Sequence, residues 1–599
     1  MRQLLPLTRL VVLLAASGVV SSVAWSQEAD HLRASHRAGQ TFLVWDELGD
    51  TGTLYRIYRS PRRILTEADL DGADLLGEVD ATSSMNRGRT FAAATQHNWI
   101  IEPGGAQLED EQGLFVHTVE ERWPLRSASR PLPAMRGWYY AVTSLSNGIE
   151  DRTLVANANT TTSELREGAA PAEPVLQTTD GAGELWGHWV GNRSTPYQGA
   201  LSMRPSHGFN FRYEPGSAPG PRGLMVRLHA AGQTYGIGWP HRNQVQSDVD
   251  ILALSDLYQG PGFTLWLGAH ENFPDLPAPQ SRIHLFTLKR VKWTLDWITR
   301  RLGEEHDPER VYAVGASMGA MGSFYLATEY PRKFAAILCR NGNYDLAAPD
   351  IANPDFVQWL FGDYALNLPI EGGAGSDGLG IYDRTNGSLY AQLAPQAEGP
   401  VIRTINGRND GTVGWQSAVA LYEGLDAARR PSVHYFDERT HTPFGYWQAL
   451  EAQLLARTFA TRRDRPSLRL TDLSIDDNPG SGSPSDGDTI GTLNAYVEYD
   501  SVPATPDACE FDVFLRSSGS LDDASIPNAQ VRLTPRRTYP FVISPGQAVY
   551  FSLLDGDTVL EQHTLVADQF GLVLTPKIKL KTSARTARFS FTQPPGRGR

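Results

Sequence analysis

Cysteine is nearly missing: the 599-residue chain contains two, Cys339 and Cys509. Neither has a Cys or His neighbour at zinc-ligand spacing, and two cysteines in separate regions make no disulfide framework. Cys339 lies in the apolar run FAAILC, where a buried free thiol is the expected state. Long apolar runs are also scarce. Beyond the first residues no segment is apolar enough to span a bilayer, which takes about 20 apolar residues. Positive charge is short as well, with 54 Lys and Arg against 67 Asp and Glu and a net charge of −13. No Lys/Arg cluster is large enough for the basic footprint that nucleic-acid binding needs, so nucleic acid is excluded as a partner. Self-similarity at a solenoid period is absent too.

What is present describes a globular protein: 41% of residues are hydrophobic and 20% are charged. The chain is too long for one core and is expected to divide into about three or four domains. Residues 1–26 read as an export signal. Arg2 and Arg9 supply positive charge, LVVLLAASGVVSSVA is a short apolar run, and small residues at Ser22-Val23-Ala24 or Ala24-Trp25-Ser26 suit cleavage. The mature protein is expected to be soluble and secreted or periplasmic.

Residues 31–163 look all-β. QTFLVWDE and TLYRIYRS alternate apolar and polar residues around a turn, and GWYYAVTSLSNGIEDRTLVA reads as a hairpin turning at Asn147-Gly148. The words LVWDE, YRIYRS and WYYAVTS resemble the B, C and F strands of a fibronectin type III-like sandwich. Residues 164–180 read as a linker. From 181 to 464 strands alternate with helices, which implies a parallel sheet covered on both faces. GLMVRLHAAG, FTLWLGAHE, ERVYAVGAS, FAAILCRNG, PVIRTINGRND and SVHYFDERTH are the expected strands. LFTLKRVKWTLDWITRRL carries Leu288, Val291, Leu295, Ile298 and Leu302 at helical spacing. The Asp-rich segment DDNPGSGSPSDGD misses the EF-hand spacing and reads as a solvated hinge. It opens a region, 465–599, whose short strands imply a C-terminal β-sandwich.

Chemistry concentrates in RVYAVGASMGAMGSF, Arg310 to Phe324. A bare G-x-S-x-G proves little in a chain with 56 glycines, so its surroundings decide. A strand precedes Ser317 and a helix follows it, and Gly315 and Gly319 permit the sharp turn that lifts a nucleophilic hydroxyl above the sheet. The same turn leaves the Met318 N–H free to donate to an oxyanion. A serine nucleophile needs a base, and the base needs an orienting acid. Asp410 follows the strand in PVIRTINGRNDGTVGW, and His441 follows the next one. Asp345 is the best alternative acid, Asp437 stands too close to His441 in sequence, and His434 lies inside a strand. A second oxyanion donor is expected from RLHAAGQTYG, at the Ala230 N–H with Ala231 as the alternative, while His229 reads as structural.

LHAAGQ, DPERVYAVGASMGAMGSFYLATEYPRKFAAI, NGRNDGTVGW and RTH together resemble the α/β-hydrolase superfamily, near its secreted esterase, polyhydroxybutyrate depolymerase-like and prolyl-oligopeptidase-type branches. The resemblance implies a multidomain protein with a central α/β-hydrolase flanked by N- and C-terminal sandwiches. It implies attack by Ser317, His441 as base then acid, an acyl-enzyme, and no metal or organic cofactor. LHAAG departs from the commoner HGG-type oxyanion loop, and Ala320 stands where a second glycine is usual.

The expected partner is an ester substrate, with the flanking sandwiches favouring a polymer or surface-bound one. Trp239, His270, Tyr344 and Trp415, near expected strand ends, are candidates to line its pocket. The alternative is a prolyl-oligopeptidase-type peptidase, although that family pairs its hydrolase with a β-propeller and no blade repeat is present. A noncatalytic binding protein on a hydrolase scaffold is the third reading.

Overall fold

The computed structural model describes residues 29–90, 97–119, 135–181, 183–193, 200–256, 263–371, 378–441, 448–516 and 528–592. Residues 1–26, read above as an export signal, lie outside them. Among the described residues, no helix is long and apolar enough to cross a membrane.

A ten-stranded sheet forms the middle of the molecule. Its strands are β1 (Val175–Asp180), β2 (Gly183–Val190), β3 (His207–Glu214), β4 (Arg222–Leu228), β5 (Val249–Leu254), β6 (His306–Ala316), β7 (Ala336–Arg340), β8 (Val401–Gly407), β9 (Ser432–Asp437) and β10 (Gly491–Leu493). Their spatial order is β10-β9-β8-β7-β6-β4-β5-β3-β2-β1. The strands from β5 through β4, β6, β7 and β8 to β9 run parallel. Antiparallel strands finish both sides, with β3 on β5 and β10 on β9.

The parallel strands read as continuous apolar runs because both faces are covered. Along β4, Leu224, Val226 and Leu228 enter one core while Met225 enters the other. The first core receives helices α1 (Phe286–Leu302), α2 (Met318–Glu329) and α3 (Gln416–Ala427); the second receives α4 (Gln448–Ala460). The spacing read for α1 holds: Leu288, Val291, Leu295 and Ile298 are all buried. Strand β4 sits between β5 and β6, so the chain reverses direction across the sheet there. The crevice outside the carboxyl ends of β4 and β6 is where open parallel sheets place ligands.

Before this sheet lie one of three strands (Asp30–Arg37, Gln40–Asp46, Gln112–Thr118) and one of five built around Leu54–Ser60 and Arg136–Ser146. Trp45, Tyr55, Ile57, Tyr140 and Val142 share the core between them. The hairpin turns where expected, with positive φ at both Asn147 and Gly148. After the central sheet, another three-plus-five pair of sheets encloses Leu533, Phe511, Phe551 and Phe589. Both cysteines are buried free thiols.

Three expectations need correction. Residues 164–180 are no free linker: Leu165–Glu167 pairs with Arg136–Ser146, and β1 pairs with β2. The boundary at 465 is crossed, because β10 returns to the central sheet beside β9. FTLWLGAHE is not one strand: only Ala269–His270 pairs, with Ile283–His284 and outside the central sheet. Leu265 and Trp266 have φ of 52° and 63°, and the buried Asp256 carboxylate accepts the N–H groups of Thr264 and Trp266, each at 2.9 Å. Two successive left-handed residues with bulky side chains are costly, and that carboxylate compensates locally.

Candidate active site

Ser317 stands between β6 and α2 with φ 55° and ψ −125°, a conformation rare for any residue but glycine. The flanking glycines explain how it is tolerated. A Cβ on Gly319 would lie 2.0 Å from the Leu228 carbonyl oxygen, and one on Gly315 would lie 2.3 Å from that of Gly319. The end of β4, the end of β6 and the start of α2 therefore meet backbone to backbone. Close packing of these segments and presentation of the Ser317 hydroxyl are here the same device. Backbone bonds hold the turn: the Ser317 N–H donates to Arg340 O at 2.8 Å, and Ser317 O accepts from Ala320 and Met321.

Removing that clearance is expected to be destructive. Gly319→Ala forces β4 and α2 apart and should cost about 3 kcal/mol, read as a fall in the urea midpoint. Gly52→Ala is the control, since its new Cβ would find nothing nearer than 3.6 Å. Equal midpoints for both variants would refute the packing argument.

The expected acid and base converge on Ser317. His441 Nε2 lies 2.8 Å from Ser317 Oγ, and His441 Nδ1 lies 2.8 Å from Asp410 Oδ2. The Asp410 carboxylate is fully buried, and its other oxygen accepts the N–H groups of Thr412 at 2.9 Å and Val413 at 3.2 Å. Asn341, at the end of β7, donates from Nδ2 to His441 O at 3.0 Å and so fixes the histidine loop. The rivals are engaged elsewhere. Asp437 binds the Arg439 guanidinium, and Asp345 accepts from Ala347 N and Asn386 Nδ2.

His434 is buried inside β9, bonded through Nδ1 to Thr404 Oγ1 and stacked on Tyr422. Burial first, and then the Arg469 charge, holds its pKa well below the ordinary 6.5. A depressed histidine contributes stability that is full above the unfolded value and lost as pH falls toward the folded one. Wild type should therefore lose about 1.4 kcal/mol per pH unit more than His434→Gln below about pH 6.5. Urea titrations at pH 7.5, 6.0 and 5.0 measure this; parallel slopes would contradict it.

The Ala230 N–H, expected as second oxyanion donor, is already taken: it donates to Gln233 Oε1 at 3.2 Å. Ala230 O is held twice, by Gln233 N at 3.1 Å and by His229 Nδ1 at 2.8 Å. His229 Nε2 accepts the Asp256 N–H at 3.0 Å, so Nδ1 carries the ring proton and donates. Burial lowers the His229 pKa to about 4, which keeps this neutral tautomer. Trp266 Nε1 donates to His229 O at 3.1 Å and completes the clamp. With the Ala230 carbonyl held from two sides, the N–H of the same trans peptide, that of Ala231, faces away from those donors. Ala231 is exposed, and its N–H and that of Met318 have no partner among the described residues. Ala231 thus replaces Ala230 in the expected pair.

The four pocket candidates are core residues. Trp239 lies under the Arg340 guanidinium, 4.3 Å from ring centroid to Cζ. His270 Nε2 meets Trp359 O, Tyr344 packs against Phe324, and Trp415 contacts Tyr422 and Phe436. Aromatic residues near strand ends bury large areas, and sequence alone does not separate rim from core.

Sequence reasoning also missed Arg408. Its buried guanidinium donates to the carbonyls of Pro484, Asp486 and Asp488. The Asp-rich segment is therefore docked beside the Asp410 loop, not a solvated hinge. A Cβ on Gly482 would come within 2.9 Å of Gln416 Cα. Backbone carbonyls as partners leave no side-chain signal to read.

No family model and no curated protein matches the sequence. Comparison with solved structures gives partial likenesses. S-formylglutathione hydrolase from Agrobacterium tumefaciens is 12% identical, with 48% of this chain and 96% of that chain covered, at a TM-score of 0.33. Bacillus cereus carboxylesterase is 14% identical, covering 42% and 93% at a TM-score of 0.27. Pyrococcus horikoshii acylaminoacyl peptidase is 12% identical, covering 71% and 68% at a TM-score of 0.31. At such identities and scores, only the residues of this chain can say what chemistry it performs.

Proposed function

We propose that this chain is an exported serine hydrolase that cleaves carboxylic esters through an acyl-enzyme on Ser317. The observation that carries the reading is the continuous chain Ser317 Oγ, His441 Nε2, His441 Nδ1 and Asp410 Oδ2, with 2.8 Å at each junction. Asp410 holds His441 with its proton on Nδ1, which leaves Nε2 free to take the serine proton. Oγ attacks the ester carbonyl carbon. The N–H groups of Met318 and Ala231 stabilise the resulting oxyanion. His441 then gives its proton to the leaving alkoxide, the alcohol departs, and water activated by the same histidine releases the acid. The flanking β-rich units would hold the enzyme near a polymeric or surface-bound ester.

A substrate panel on the chain from residue 27 onward tests the reading. Turnover of p-nitrophenyl acyl esters with no cleavage of peptidyl-proline amides is the expected result. The reverse pattern would make it a peptidase, and no turnover of either class would favour a binding protein.

A further inference from the structure

Far from Ser317, a cleft of about 400 Å³ separates the central unit from the C-terminal sheets. Its walls come from the start of β8, the end of α4 and the strands Ser467–Thr471 and Val497–Ser501. Five arginines line it: Arg403, Arg457, Arg462, Arg465 and Arg537; the acids facing it are Glu498 and Asp500. Glu498 is already paired with Arg457 and Arg516, Asp500 is exposed, and Arg462 is bound to Asp307 and Asp464. The guanidinium groups of Arg403, Arg465 and Arg537 make no ion pair with a carboxylate among the described residues. They donate to Thr461 Oγ1, to Ser501 O, and to the carbonyls of Ala335 and Arg462, while from Arg537 Glu398 accepts only the backbone N–H.

Arg403 is the least compensated of them. It is only 8% exposed, one nitrogen donates to Thr461 Oγ1 at 3.2 Å, and its Nη1 is buried without any hydrogen-bond partner. Arg537 has a buried unpartnered Nε as well. A guanidinium cannot shed its proton to escape burial, so an unpaired one is costly unless an anion supplies the missing acceptors. Several converging guanidinium groups with spare N–H donors fit a small tetrahedral oxyanion, which offers many lone pairs and charge above one.

We propose that this cleft binds a small oxyanion of the phosphate or sulfate kind, with Arg403, Arg465 and Arg537 as its donors, and that the bound anion joins the C-terminal unit to the central sheet. The site is independent of the chemistry at Ser317: Arg403 lies near the start of β8, whereas Asp410 follows its other end.

Inorganic phosphate, titrated into the full chain by calorimetry and by thermal unfolding at ionic strength held constant with sodium chloride, tests this. Wild type should bind saturably and melt at higher temperature with phosphate. Arg403→Met should lose the phosphate response while melting no lower than wild type without phosphate, because a buried unpaired charge is gone. Arg465→Gln, at a more exposed position, should raise the dissociation constant about tenfold; it decides the matter if Arg403→Met does not fold. Ester turnover should be the same in both variants as in wild type. No saturable binding in wild type, or an unchanged dissociation constant in Arg465→Gln, would overturn the proposal.

Discussion

Ser317→Ala should lower kcat for p-nitrophenyl ester hydrolysis by about 10⁴- to 10⁶-fold while leaving the folded chain intact. The large effect follows from geometry. His441 Nε2 lies 2.8 Å from Oγ, and deleting that oxygen removes the covalent route altogether. What survives is the hydrolysis that the oxyanion donors and the bound geometry support by themselves. The small effect on folding also follows from position. The turn is held by the Ser317 N–H and C=O and by the absent side chains of Gly315 and Gly319, not by the hydroxyl. Alanine still has to adopt φ 55°, so its stability should match wild type within about 1 kcal/mol. Activity within tenfold of wild type would remove Ser317 from the mechanism.

Asp410→Asn should lower kcat by about 10⁴-fold with little change in KM. The oxygen that accepts from Thr412 and Val413 can remain in place, so the loop keeps its shape. The new amide NH₂ then faces His441 Nδ1 and demands an acceptor there, which places the ring proton on Nε2, toward Ser317. That histidine cannot take the serine proton. Asp345→Asn is the matched control: its carboxylate serves Ala347 and Asn386, so its kcat should fall less than about threefold. Comparable losses in both variants would mean that the acid has been misassigned.

Much of this was legible because the physics was local or periodic. The α1 stripe, the apolar runs of β6, β7 and β8, and the hairpin at Asn147-Gly148 each announce themselves within a few residues. The meeting of Ser317, His441 and Asp410 was legible for a different reason: Asp410 and His441 follow consecutive strands, and parallel strands deliver their carboxyl ends to one edge of the sheet. The failures were non-local. Leu265 and Trp266 continue an apolar run, but Asp256, on another segment, holds the turn around them by accepting from Thr264 and Trp266. Ala230 looked like a free donor because the Gln233 side chain folding back on it has no periodicity. The segment DDNPGSGSPSDGD has a linker's composition, yet its carbonyls surround Arg408. Trp239, Tyr344 and Trp415 carried the chemistry of a binding pocket and the volume of a core, and volume decided.

The central claim is that Ser317 is a nucleophile activated in the folded state. Fluorophosphonate labelling followed by peptide mass spectrometry measures that directly. The account predicts one adduct per folded wild-type chain, located on Ser317, and none on Ser317→Ala or on protein unfolded in urea. A folded wild-type chain that stays unlabelled, or an adduct on any other residue, would contradict it.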